Sequence, residues 1–168
     1  PEEGEPIVDH LVKKYGPAAK QRFNDPNSSM KESGRAVGIE FTNNRRVLNT
    51  IRAHTLIEYV KKDLDKNEKA NAIMENLYQR YFERGDNINS VELLQEVARE
   101  SGQVEVPAEV IEDTKRHDEV RAQDLRVKRG GVHGVPFFII EQNNGGQPVS
   151  FSGAYPPAFI AEQLIDAC

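Results

Sequence analysis

Side chains able to do chemistry are thinly spread in this sequence, with four histidines, one cysteine and 27 acidic residues among 168. Thr50, His54 and Glu58 are spaced by four, which puts them on one face of a helix, where they suit a polar relay or the wall of a cleft. The plainer role for the same trio is a partly buried His54 hydrogen-bonded to Glu58. His10, His117 and His133 show no ligand spacing with a second donor group, so no metal is expected. Cys168 closes the sequence without a partner, which excludes an intrachain disulfide and reads as a terminal thiol.

The stretch GVHGVPFFII, residues 131–140, carries the sharpest signal. Glycines and His133 lead into Val135-Pro136, and four apolar residues follow at once. Proline cannot donate to a strand ladder, so its place at the mouth of a buried strand calls for a reason. A glycine turn before an X-Pro bond suits the cis isomer, which would turn the backbone groups of Val135 outward. A trans proline that merely ends a loop is the structural alternative. GGVHG is not a dinucleotide loop, because it lacks the preceding strand, the following helix and the glycine spacing.

Composition narrows the field. A net charge of −5 argues against a nucleic-acid partner, since phosphate binding shows as a basic surplus. The apolar runs fall far short of a membrane span, and nothing reads as a signal peptide, so no membrane partner is expected. A single cysteine points to a reducing compartment, hence the cytoplasm. The opening at Pro1, without a methionine, reads as processing or as an incomplete N-terminus.

The elements that must position these residues are mostly helical. Pro6 and Gly16-Pro17 bracket a first helix, and a more polar one is expected over 18–36, broken near Asp25-Pro26. GIEFTNN reads as an extended connector. One long helix is expected from Arg45 to Leu64, apolar almost all round and therefore buried between others. Ile73, Met74, Leu77, Tyr78, Tyr81 and Phe82 fall on one stripe of the next. Ser90 is placed to cap a helix that ends near Gly102, Pro107 opens another, and a charged helix covers His117–Arg129. FFIIE and PVSFSG flank the turn signal NNGG, so 137–152 reads as an antiparallel hairpin, and Pro156-Pro157 launches a last helix.

That order poses an energetic problem. A lone two-stranded hairpin is marginal in water, and FFII is too apolar for an uncovered edge. The strands need a larger sheet, and no second convincing pair is legible. Further strands, or another chain through a homodimer or domain swap, are expected to cover Phe137–Ile140.

The motifs GV-x-GVP-x-F-x-I and SGAYPP, with Asn49, Thr50, Ala53 and His54 in NT-x-x-AH, resemble the FrnE-like branch of the DsbA family of thiol–disulfide oxidoreductases. PEEGEPIVDHLVKKYG and YFERGDNINSVELLQEVARESG extend the resemblance over essentially the whole chain. It implies an α/β, thioredoxin-like fold with an inserted helical domain. The first βαβ unit is lacking here, leaving a mostly helical chain with one hairpin. The implied boundaries are 1–16 for a connector and first helix of the thioredoxin-like domain, 17–115 for the insertion, and 116–168 for the rest of that domain. The family implies a Cys-x-x-Cys pair at a helix N-terminus, where the thiolate is stabilised, and a proline loop facing it. Carried over, Gly134, Val135 and Pro136 would bind substrate, with Asn49 and His54 as further cleft residues. No Cys-x-x-Cys is present, so no catalytic residue is assigned and the chain alone is expected to be inactive. A disulfide-bearing protein or a small thiol is the expected partner.

No cofactor is expected on that reading. The residues leave two alternatives open. Kappa-class glutathione transferases and 2-hydroxychromene-2-carboxylate isomerases share the fold and bind glutathione at the same proline loop. A non-catalytic peptide-binding module would use the helices and the cleft without any thiol chemistry.

Overall fold

Pro6 cannot donate a backbone hydrogen bond, and Gly16 takes φ +83°, so the first helix has a sharp start and stop. In the computed structural model, which describes residues 3–142 and 145–166, α1 runs Ile7–Tyr15. The Asp25-Pro26 step breaks the following segment into α2, Ala18–Asn24, and α3, Ser29–Ala36. Two bonds across the break hold these helices together: Lys31 Nζ donates to the Phe23 carbonyl at 2.9 Å and Arg35 to the Pro26 carbonyl at 2.8 Å.

The helix expected from Arg45 starts six residues late. Arg46–Val47 instead forms a short strand, β2, antiparallel to β1 at Glu5–Pro6, with Glu5 opposite Val47 and Pro6 opposite Arg46. This second pair of strands was not legible, since a two-residue ladder leaves no alternation to read. The Asn49 side chain accepts from the Ile51 amide at 3.1 Å, and α4 follows as Ile51–Lys62. Its buried side chains, Ala53, Leu56, Ile57 and Val60, recur at helical spacing, and Thr55 extends the stripe. Against it lie α5, Asn67–Tyr78; α6, Val91–Gly102; and the short α7, Ala108–Ile111. Leu56, Val60, Ile73, Leu94, Val97 and Ile111 are completely buried and form the core of this bundle.

Beyond Tyr78 the backbone loosens into a π-helical turn, Gln79–Arg84, that ends at Gly85 with φ +80°. A side chain on Gly85 would come within 2.3 Å of the Asn44 carbonyl, so only glycine lets the connector pass there. Widening the turn rotates the expected stripe: Tyr81 and Phe82 stay partly buried, whereas Tyr78 is exposed. Arg80 projects from the turn onto α6, 2.5 Å from Glu96 and 3.0 Å from Glu100. Ser90 caps α6, its hydroxyl accepting from the Leu93 amide at 3.2 Å.

The chain divides into two compact units, residues 1–121 and 122–168, within α8, Thr114–Arg129. In the second unit β3, Phe137–Ile140, pairs antiparallel with β4, Val149–Ser152, and α9 follows as Pro157–Asp166. Asn143 and Asn144 of the NNGG turn signal, and Cys168, lie outside the described residues. Among the described residues the buried apolar side chains fall between Ala53 and Ile111, and none belongs to this unit. No helix among the described residues is long and apolar enough to cross a membrane.

Arg116 near the start of α8 grips Asp63 at the end of α4 with two hydrogen bonds, 2.8 and 3.0 Å long. These bonds hold the Asp63 carboxyl below its ordinary value. A carboxylate with a lowered pKa stabilises the fold at neutral pH and loses that contribution as pH falls through its lowered pKa. Because the pair is partly solvated, Asp63→Asn is expected to cost only about 0.5–1 kcal/mol at pH 7. Urea titrations of both proteins should show this gap closing once the pH is well below the ordinary aspartate value of 3.8. A gap that stayed constant into acid would mean the pair contributes nothing through charge.

Candidate functional site

The second unit is built around stacked rings. Phe138 and Phe151 face each other across the β3–β4 ladder, with centroids 5.0 Å apart. Phe151 also meets Tyr155 at 5.8 Å and Phe159 of α9 at 5.4 Å, and Tyr155 stacks on Phe159 at 4.3 Å. Gly153 takes φ +123°, which brings the chain round so that Tyr155 folds back toward the strand. The segment SGAYPP is thus a corner that locks the last helix onto the hairpin through aromatic contacts.

This scaffold presents the turn before β3. The Gly153 amide donates to the Pro136 carbonyl at 2.9 Å, and the Ser152 hydroxyl lies 3.4 Å from the same oxygen and 3.5 Å from the Gly134 carbonyl. The first contact is a sound hydrogen bond and the other two are at the weak limit. The Val135–Pro136 peptide is cis. Val135 is 90% exposed, and its backbone amide and carbonyl have no partner among the described residues. Gly134 is exposed as well, and a Cβ there would meet nothing nearer than the Ser152 hydroxyl at 3.5 Å. His133 is exposed beside it.

Asn49 and His54 belong to the first unit. Both are exposed, Asn49 at the entry to α4 and His54 one turn in, its amide donating to the Thr50 carbonyl at 3.0 Å. A partly buried His54 is therefore corrected: the α4 stripe turns Ala53 and Ile57 inward and leaves His54 in solvent. Glu58 forms an ion pair with Lys62 at 2.5 Å. His10 lies 3.3 Å from Glu5, whose carboxyl is pulled below its ordinary value by the Lys13 ammonium first and by His10 next. The His117 ring is 2.7 Å from the Ile111 carbonyl. No group of three potential metal ligands occurs among the described residues.

One concave surface escaped the sequence reading. Leu11, Tyr15, Phe23 and Met30, from α1, α2 and the start of α3, line an open groove of about 240 Å³. The one available signal was Phe23, an aromatic residue inside an otherwise polar segment.

Residues 13–165 match the DSBA-like thioredoxin domain, and the chain belongs to that family. Among solved structures it is similar to a probable DsbA oxidoreductase from Streptomyces coelicolor, with 24% identity, a TM-score of 0.74, and coverage of 97% of this chain and 67% of that one. No curated protein sequence matches. The fold is thioredoxin-like, of the DsbA type, with most of its residues in helices.

If the rings fix the proline turn, removing the central one should loosen it. Phe151→Ala is expected to cost about 2 kcal/mol locally, less than for a fully buried phenylalanine. Amide hydrogen exchange in Phe138–Ile140 should then accelerate by about 30-fold, while α4 amides keep their protection. Unchanged exchange in β3 would show that the turn is held by the ladder alone.

Proposed function

We propose that this chain supplies the substrate-facing wall and the helical domain of a thiol–disulfide oxidoreductase of the FrnE-like branch. The observation that carries the reading is the free backbone of Val135, set on an ordered turn and 90% exposed. An unpaired amide and carbonyl in that setting suit an extended peptide, which binds by adding main-chain hydrogen bonds at an open edge. Gly134 supports it from the side, since nothing in the described chain requires a glycine there, whereas an approaching ligand backbone would. Asn49 and His54, exposed at the start of α4, are further substrate contacts on this reading.

The chemistry needs two thiols, and this sequence has one cysteine. A Cys-x-x-Cys pair would come from a strand–helix–strand unit added alongside β3. Support for such an addition is energetic. The FFII strand has Ile139 62% exposed, and the second unit has no buried apolar residue among those described. A hairpin so placed is stabilised by joining a larger sheet. In the reaction, one thiolate of the pair attacks a sulfur of the substrate disulfide. A mixed disulfide forms and the other substrate sulfur leaves as a thiolate. The second cysteine then attacks the mixed disulfide, releasing reduced substrate and leaving the pair oxidised, and the reverse sequence oxidises a dithiol. The Val135 backbone would hold the substrate chain so that its sulfur lines up with the attacking one.

Two measurements test this. Alone, the 168-residue chain should not accelerate insulin reduction by dithiothreitol, and turnover would remove the need for an external thiol pair. In amide spectra, the reduced, alkylated insulin A chain should shift the Gly134 and Val135 resonances. Binding that left both unmoved would sink the assignment of the turn.

A further inference from the structure

The groove on α1–α3 has a chemistry of its own. Its walls are apolar side chains left in solvent, with Tyr15 64% and Met30 43% exposed. Isolated exposed apolar residues are ordinary, but these two converge on one concavity with Leu11 and Phe23. At about 240 Å³ the groove is smaller than the cavities that enclose small molecules. It is sized for one or two side chains of a passing polypeptide.

Its charge is the second observation. From Ile7 to Ala36 the chain carries six lysines and arginines against three acidic residues, a surplus of +3, so the remainder holds −8 of the net −5. Arg22 lines the groove, and the Lys14 ammonium lies 5.2 Å from the Tyr15 ring centre. Lys13 is neutralised by Glu5. Two more cations sit against the Phe23 ring, Lys31 at 5.7 Å and Arg45 at 5.6 Å. Both residues are buried, and no carboxylate pairs with either among the described residues. Arg22 and Lys14 at the groove, with Lys31 and Arg45 against the Phe23 ring, thus gather cations on this side of a protein that is otherwise acidic.

We propose that this groove is an exosite for an acidic polypeptide segment carrying bulky apolar side chains, which seat between Tyr15, Phe23 and Met30 while carboxylates meet Arg22 and Lys14. This names a class of substrate for the oxidoreductase and rests on that reading only for its biological purpose. Binding itself needs no thiol, so a binding experiment separates the two.

The probe is a fluorescein-labelled 15-residue peptide of alternating glutamate with leucine or phenylalanine, titrated by anisotropy with the full chain at low and at physiological salt. Binding should weaken as salt rises and should fail for a peptide with lysine for every glutamate and for one with serine for every apolar residue. Arg22→Glu and Tyr15→Ser should each weaken binding about tenfold with unchanged circular dichroism, and Arg126→Glu, on α8, should not. Equal affinity for the acidic and basic peptides, or insensitivity to both groove variants, would overturn the proposal. So would sedimentation with phosphatidylserine vesicles in the absence of peptide binding, or dimerisation abolished by the same two variants. The insulin A-chain result at Val135 is independent of all these outcomes.

Discussion

Arg45 is where the first unit is tied together. Its guanidinium lies 5.2–5.9 Å from the ring centres of Phe23, Phe41, Tyr81 and Phe82, and its Nε is buried without a hydrogen-bond partner. Burial pushes its pKa down from the usual value, opposed by the Tyr81 phenol, yet guanidinium remains charged at any physiological pH. Each ring face attracts the cation by roughly 0.5–2 kcal/mol, which offsets lost hydration without a carboxylate. The backbone of the same residue accepts from the Ile7 amide at 2.9 Å, and its neighbour's carbonyl accepts from the Tyr81 hydroxyl at 2.8 Å. Four segments meet there: the start of α1, the end of α2, the connector and the π-helical turn. The position of the α1–α3 groove follows from that meeting.

This arrangement explains which parts of the fold were legible. The α4 and α6 stripes, the Ser90 cap and the hairpin were readable because each is set by residues within a turn or two. Residues 45–50 were misread as helix because their conformation is set by distant partners. Arg45 is drawn into rings from three other segments, and Arg46 pairs with Pro6. Nothing in the local pattern of Arg-Arg-Val-Leu announces either contact. The π-helical turn is the same kind of case, since Arg80 reaching Glu96 and Glu100 is a relation between helices.

The proline turn was legible for the opposite reason. GVP followed by FFII is a local contradiction, a residue that cannot donate placed beside residues that want a ladder, and such contradictions mark places that function has shaped. Asn49 stood out only through resemblance, and His54 through resemblance and its spacing with Thr50 and Glu58. Their own geometry, an exposed side chain at a helix entry and an exposed histidine, is ordinary. Beyond the hint of Phe23 the groove was not readable, because a concavity depends on how three helices pack and no local pattern states that.

The two units solve the problem of burying apolar surface differently. The first closes its core with side chains that are completely covered, so its sequence is answerable to packing within itself. The second leaves its rings half-covered and Ile139 and Val135 in solvent, and four consecutive apolar residues fit a strand buried on both faces better than one open on either. The hairpin therefore holds the turn in place through Phe138, Phe151, Tyr155 and Phe159, while the outward side of the strand remains available for pairing. Rigid support on one side and open hydrogen-bonding capacity on the other are what the proposed role of the turn, holding an extended chain in register, requires.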